Sequence, residues 1–406
     1  MINPGSILTL DVEKPAAGGR MLARHKGQVV LVWGAIPGER IHARVERATR
    51  SVLYAETTEV LSASPDRREA GADWRCGGNV FAHVAYERQL GLKAEIVQDG
   101  FARIGRIPLS SLPIVIGSPE RGYRMRARLH ARDGRFGFYR EGTHELCPVE
   151  PTGQLLPETV AWLASAEAAL RREPFAGLTG IEFAENIAAS ERASRVEVQP
   201  GVDAAGFSAL VSEEQTVTDV LRVKDEDPAS TLRLRRHVGS FFQGNRFLLE
   251  RLVRHVVALV PDGPVVDLYA GVGLFGLSVA AAGGGAVTLV EGDPTSSADL
   301  IANAEPLIDR VRVHRASVEA FMSAGTIARE ATVIVDPPRT GMSKDAVAGI
   351  IRQAPARIVY VSCDVATLAR DTRTLLDAGY VLEALTAIDL FPNTAHVESL
   401  MVLSRA

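Results

Sequence analysis

At 406 residues the chain is long enough for two or three domains, and its net charge of −4 gives no overall attraction to polyanions, so any such binding has to come from local basic patches. Apolar residues (46%) and charged residues (23%) stand in the proportions of an ordinary globular protein, and no apolar run reaches the eighteen or so residues of a membrane span. Three cysteines are too few and too scattered for a disulfide framework, and MINPGSILTLDVEKP lacks the basic and apolar regions of a signal peptide. A reduced, cytoplasmic protein without membrane contact is expected, and no obligate protein partner is evident.

Residues 1–62 alternate apolar and polar positions between turn signals. LTLDVEK, QVVLVWGA, ERIHARVERA and SVLYAETTEVL predict four or five short strands, with Gly18-Gly19 and Pro37-Gly38 as turns. So short an all-β unit predicts a small OB-like barrel, a class that often binds oligonucleotides. Its basic residues, among them Arg20, Arg24, Lys26, Arg40, Arg44, Arg47 and Arg50, outnumber its acids.

A polar linker, SASPDRREAGADWR (62–75), leads into a central α+β part spanning 63–235, with a helix expected at about 82–103. In YRMRARLHARDGRFGFYR (123–140), Arg124, Arg126 and Arg128 occupy every second position, Met125, Ala127 and Leu129 take the other face, and Asp133-Gly134 supplies a hairpin turn. Seven arginines within residues 121–140 of an acidic chain favour a phosphate-facing groove over a merely solvated face. Arg124, Arg126 and Arg128 are therefore candidate nucleic-acid contacts.

Residues 236–406 change pattern. PVVDLYAG, AVTLVEGD, VRVHRAS, TVIVDPPR and RIVYVSCD are short β-branched runs separated by helical stretches, and YVLEALTAIDLFP and HVESLMVLSR supply two last strands. This alternation predicts an α/β fold with a doubly wound, mostly parallel, Rossmann-like sheet. Gly271, Gly273 and Gly276 spell G-x-G-x-x-G, and Glu291 ends the next strand, which taken alone is a dinucleotide fingerprint. Asp267, however, ends the strand before the glycines. A carboxylate repels a pyrophosphate and suits a cationic, phosphate-free ligand such as S-adenosylmethionine, with Glu291 placed to accept from ribose hydroxyls. DPPR (336–339) and SCD (362–364) follow two further apolar strands and so point into the same crevice.

With these residues together, the chain resembles the RNA 5-methyluridine methyltransferase family along nearly its whole length. Residues 1–62 resemble its TRAM barrel, through Gly18-Gly19 and AIPGER. FFQGN (241–245) resembles the FFQ-x-N stretch at the start of the catalytic domain, and DLYAGVGLFG, DPPRTG, VSCDVATLARD and FPNTAHVE follow in order and spacing. Two departures stand out. Asp364-Val365 replaces the usual Asn-Pro after the cysteine. Many relatives also hold an iron–sulfur cluster through C-x5-C-G-G-C and a distal Cys-Pro; here Cys76-Gly77-Gly78 and Cys147-Pro148 remain, while Ala70 and Asn79 stand at the other two positions. Such a cluster wants four thiolates. None is expected here, nor any other metal, and Cys76 and Cys147 read as small core residues.

The resemblance implies S-adenosylmethionine-dependent C5-methylation of a uridine in RNA, with ribosomal RNA favoured over transfer RNA by the TRAM-like barrel. It implies Cys363 as the nucleophile adding to uracil C6 and Glu398 as the base removing the C5 proton. Gln243, Asp267, Tyr269, Gly271, Glu291 and Asp336 are expected around the cofactor, with Asp336 alternatively facing the uracil and Arg339 either holding phosphate or anchoring its loop. Two alternatives stay open: a DPP-motif amino-methyltransferase acting without a cysteine, and a non-catalytic RNA-binding protein on the same scaffold.

Overall fold

The computed structural model describes residues 2–172, 176–203, 207, 210–224, 227 and 230–405. The first five strands are β1 (Ile7–Pro15), β2 (Met21–His25), β3 (Gln28–Trp33), β4 (Arg40–Ala48) and β5 (Val52–Ser62), closed into a barrel of order β1-β2-β3-β5-β4. Along β1 the alternation sends Leu8, Leu10 and Val12 inward, where they meet Val30, Val32, Ile41 and Leu53. Sequence alternation had outlined every strand but β2. That strand is fixed by Lys26-Gly27, a two-residue hairpin turn in which both residues adopt positive φ.

The helix α1 (Tyr86–Gly100) leads to a two-residue strand, β6 (Val115–Ile116). Next come β7 (Arg126–Arg132), β8 (Arg135–Tyr139) and β9 (Leu146–Pro148), then α2 (Pro157–Arg172), β10 (Leu178–Glu185) and β11 (Arg192–Val198). They form one antiparallel sheet of order β11-β10-β7-β8-β9. The predicted Asp133-Gly134 turn joins β7 to β8, with φ of 52° and 68°. Leu163, Ala166 and Leu170 of α2 cover the sheet's Leu129, Phe136, Ile181 and Phe183. A separate hairpin, β12 (Thr216–Arg222) and β13 (Thr231–His237), follows.

Here the cysteine expectation needs correcting. Cys76 and Cys147 are not separate reduced core residues; they form a disulfide with Cα atoms 5.9 Å apart. The linker around Cys76 is laid against the end of β8, where Gly77 N–H donates to the Tyr139 carbonyl at 2.9 Å, and β9 pairs with β8 from the other side. With both sulfurs in that bond and non-ligating side chains at Ala70 and Asn79, these residues do not fit a four-thiolate cluster.

The remaining elements alternate: α3 (Leu249–Ala258), β14 (Val265–Leu268), α4 (Leu274–Ala281), β15 (Val287–Glu291), α5 (Pro294–Ala304), β16 (Val311–Arg315), α6 (Val318–Ala324), β17 (Thr332–Val335), α7 (Lys344–Gln353), β18 (Arg357–Ser362), α8 (Val365–Asp377), β19 (Tyr380–Ile388) and β20 (Glu398–Arg405). The sheet order is β16-β15-β14-β17-β18-β20-β19-β6. β14 to β18 run parallel, and β20 lies antiparallel to both β18 and β19. This is the doubly wound α/β fold the alternation predicts, completed at one edge by β6 from far upstream. Among the described residues no helix is long and apolar enough to cross a membrane.

Candidate active site

In such a sheet a crevice opens beyond the carboxyl ends of the parallel strands. At the end of β14 the chain turns sharply: Tyr269, Gly271 and Gly273 have φ of 63°, 57° and 98°. A Cβ on Gly276 would lie 2.3 Å from Leu289 and 2.9 Å from Asp267 Oδ2, so only glycine lets α4 start this close to the strands. Asp267 is fully buried. Its Oδ2 accepts from Gly276 N–H at 2.8 Å, and its Oδ1 has no partner. Burial pushes this carboxyl up to about 8, assisted by Asp336 and Glu291 and opposed by the Gly276 hydrogen bond. Asp267 thus lies in the floor and is no open counter-charge. Glu291 ends β15 and accepts from Gly271 N–H at 2.7 Å and Asp293 N–H at 2.6 Å. A carboxylate has further lone pairs, so it remains able to accept from a diol. Residues 265–280 contain no lysine or arginine. With no lysine or arginine at the glycine turn and the Glu291 carboxylate beside it, the crevice fits a cationic, phosphate-free ligand better than a pyrophosphate.

Farther along the same edge, Cys363 follows β18 and Asp336 follows β17. The antiparallel course of β20 brings its first residue to this edge as well. Ser362 pairs with Ser399, so Glu398 and Cys363 leave adjacent strands side by side. Gln243 Nε2 donates to Asp336 Oδ2 at 3.3 Å. Cys363, Glu398, Asp336 and Gln243 are therefore brought together, as the motifs implied. Glu398 is 1% exposed and its Oε1 has no hydrogen-bond partner. Burial, then the Asp336 charge, hold its carboxyl well above the ordinary range, with Arg339 opposing. Asp336 is pushed up to about 7 by burial, against the Gln243 hydrogen bond. Burial, Glu398 and Asp336 push the Cys363 thiol up to about 12, while Arg339 pulls it down. The thiol is protonated at neutral pH, and the strongest proton acceptors in reach are its raised carboxylate neighbours. Asp364 caps α8, its Oδ1 accepting from Thr367 N–H at 2.8 Å, which is the service an asparagine would give there.

A cavity of about 530 Å³ opens over Cys363. All three regions wall it: Trp33 and Gly18 from the barrel, Gly78 and Arg124 from the central part, and Arg339, Phe391 and His396 from the strand-end loops. Loop 389–394 is pinned from below. Lys93 of α1 forms a fully buried ion pair with Asp389 and donates to the Phe391 carbonyl at 3.0 Å, and Gln89 exchanges two hydrogen bonds of 2.9 Å with Asn393. Asn245 of FFQGN donates to Ser118 Oγ at 2.9 Å and to the Leu390 carbonyl at 3.1 Å. The three arginines of the hairpin part company. Arg126 pairs with Glu182 at 2.9 Å and Arg128 with Glu197, both acids lying on β10 and β11, while Arg124 enters the cavity wall. Trp33, His396 and Lys93 were not singled out from the sequence, although Trp33 lies within the predicted strand QVVLVWGA and His396 within FPNTAHVE.

A family model described as tRNA (uracil-5-)-methyltransferase matches residues 182–406, and a TRAM domain model matches residues 3–58. The chain belongs to the tRNA (uracil-5-)-methyltransferase family. A 23S rRNA (uracil(1939)-C(5))-methyltransferase of Pseudomonas putida is 30% identical, the match covering 96% of this chain and 92% of that one. An uncharacterized RNA methyltransferase of Bdellovibrio bacteriovorus is 31% identical over 98% of this chain and 95% of its own. Among solved structures, the Pyrococcus abyssi tRNA (uracil-54, C5)-methyltransferase, in complex with S-adenosyl-L-homocysteine, superposes with a TM-score of 0.72 at 24% identity, covering 97% of this chain and 99% of the other. The protein is thus an S-adenosylmethionine-dependent RNA (uracil-5-)-methyltransferase with a TRAM barrel.

Proposed function

We propose that this enzyme methylates C5 of one uridine, in ribosomal RNA rather than transfer RNA, through a covalent adduct between Cys363 and uracil C6. The observation that carries the proposal is the meeting of Cys363, Glu398 and Asp336 at one strand edge, under a cavity open to solvent. A base inside a stem cannot enter that cavity, so the target uridine is single-stranded or flipped out. Gln243, Tyr269, Gly271, Glu291 and Asp336, over the floor that Asp267 forms, would hold S-adenosylmethionine, which supplies an electrophilic methyl group when bound.

C5 of uracil is a weak nucleophile. Addition of the Cys363 sulfur to C6 makes C5 enolate-like and able to take up the methyl. The thiol must first lose its proton, and its depressed acidity requires an acceptor beside it. After methylation C5 carries one proton too many. Glu398 removes it, the C5–C6 double bond re-forms, and the sulfur leaves as thiolate. A buried carboxylate with a raised pKa is the stronger base once ionised, as this step needs. The division into an RNA-binding barrel (1–62), a central part (63–235) and a catalytic part (236–406) belongs to the same proposal, as does a cytoplasmic address. Mapping 5-methyluridine in ribosomal and transfer RNA from a strain lacking the protein tests it. One uridine in ribosomal RNA should lose its methyl group and regain it on complementation; an unchanged map would refute the assignment.

A further inference from the structure

The cavity is wider than a reaction site for one pyrimidine requires, and two of its walls carry groups with no part in the chemistry above. On the barrel side stands Trp33, the last residue of β3. The Arg20 guanidinium lies 4.6 Å from its ring centroid and is itself held by the Leu31 and Ala55 carbonyls and by Glu46. A Cβ on Gly19 would lie 3.1 Å from the indole, 3.1 Å from Ala395 and 3.2 Å from Val80, so the ring is seated where all three regions converge. Outward, Arg20 also lies over Tyr54 at 5.3 Å, and Arg47 over Tyr54 at 4.0 Å. Cations and rings thus alternate along the barrel away from the cavity.

On the opposite wall stands Arg124. Unlike Arg126 and Arg128, it has no ion pair among the described residues. Its Nε is buried without a hydrogen-bond partner, and its guanidinium sits 5.7 to 5.9 Å from the ring centroids of Phe138, Tyr123 and Phe391. The acids facing it are Glu141, exposed at the rim, and Asp364, occupied in capping α8. A caged cation without a carboxylate partner is a standing site for an anion from outside the chain. Arg339 bears on both the Cys363 thiol and His396, and Arg124 bears on His396 only.

We infer that Trp33 and Arg124 form a second nucleotide subsite, in which the base next to the target uridine stacks on Trp33 and a phosphate joined to it is held by Arg124. This rests on the proposal that the cavity takes a uridine of RNA. The target uracil and its neighbour would then occupy one cavity, and recognition of a particular uridine would extend to its flank.

The test uses the full-length enzyme and an RNA of the segment around the mapped uridine, with uridine at the target for turnover, 5-fluorouridine in a parallel RNA to trap the adduct, and an abasic nucleotide at either neighbour in each. Trp33→Ala should raise KM for RNA about tenfold with kcat nearly unchanged, since stacking on an aromatic ring is worth roughly that much per base, and Trp33→Phe should restore most of it. An abasic neighbour on one side should cost the wild-type enzyme a similar factor and cost Trp33→Ala nothing further. Arg124→Gln should lower the slope of log affinity against log salt by about 0.7, and Trp33→Ala should leave it alone. Independent, additive penalties at both neighbours, with the adduct still formed, would overturn the subsite and spare the covalent mechanism. A wild-type enzyme that forms no adduct would remove both. The abasic arm needs no protein variant, so a folding defect in Trp33→Ala does not obscure the answer.

Discussion

The three cysteines occupy two contrasting environments. Cys76 and Cys147, 71 residues apart, are spliced together where a linker and β9 meet the two sides of β8. Cys363 stands alone at the end of β18 beside two carboxyl groups, half-exposed to a cavity. The first pair makes a covalent strut out of what backbone pairing had already aligned. The single thiol is left free because the other two sulfurs are bonded to each other, and burial and its carboxyl neighbours oppose its ionisation. Residue type alone does not separate structural sulfur from reactive sulfur; what lies beside each sulfur does.

The largest expected effect breaks that contrast or confirms it. Cys363→Ala should abolish both methylation and any protein–RNA species that survives denaturing electrophoresis. Replacing Cys76 and Cys147 together by serine should leave kcat within a few-fold of the wild type. Loss of turnover in the serine pair, with folding intact by circular dichroism, would show that the two sulfur environments are not independent.

Next in size is Glu398→Gln. Glutamine keeps the shape of the side chain and cannot take the C5 proton. Turnover should fall by about 10²–10⁴, the usual worth of a positioned base, while the methylated adduct accumulates. Adding Cys363→Ala should remove the adduct. Normal turnover without an adduct would assign the proton to a different residue.

The disulfide should act on stability. Constraining a loop of this length stabilises a fold by about 4 kcal/mol in the loop-entropy account, within a usual range of about 2–5 kcal/mol. The serine pair, or wild type under strong reductant, should unfold at correspondingly lower denaturant. Alkylation of the native protein followed by mass spectrometry should label Cys363 only. A cytoplasmic address would expose the bond to reducing thiols. Labelling of all three cysteines in protein isolated from cells would show the pair reduced there and place its strut outside the working enzyme.

Much of this was legible in the sequence for physical reasons that differ by region. Period-two alternation and β-branched runs fixed the barrel and the parallel sheet, because each strand must bury one face or both. Cys363 was legible because it follows an apolar strand, and a sheet of this type gathers such strand ends into one crevice, whereas Glu398 was reached only through the family resemblance. The Cys76–Cys147 bond was not, because its partners meet only through the pairing of β8 with β9 and the packing of residues 73–79 against it. Nor was the split among the hairpin arginines. Arg126 and Arg128 find Glu182 and Glu197 on strands some fifty residues or more downstream, a tertiary fact that alternation along one strand does not encode. Lys93 was invisible for the same reason, since a lysine on an amphipathic helix gives no sign of a buried aspartate nearly three hundred residues away.

The smallest expected effect concerns the acidity of Cys363 itself. Burial and two nearby carboxyl groups raise its pKa to about 12, and Arg339 works against them. The free thiol should therefore react slowly with iodoacetamide at pH 8, and its rate should climb through the alkaline range without the plateau an ordinary exposed cysteine reaches near pH 9–10. The sign of each neighbour's contribution gives the variants their order. Removing a negative charge stabilises the thiolate, so Glu398→Gln should shift the alkylation profile to lower pH, and Asp336→Asn should do the same to a lesser degree. Removing Arg339 takes away the opposing positive charge, so Arg339→Gln should shift the profile upward. Because the pH dependence follows the thiolate, these shifts can be read in free enzyme, without RNA and without turnover. A wild-type profile with the midpoint of an ordinary thiol would mean that the carboxyl groups beside Cys363 do not govern its proton. The contrast between the two sulfur environments would then lie in pairing alone.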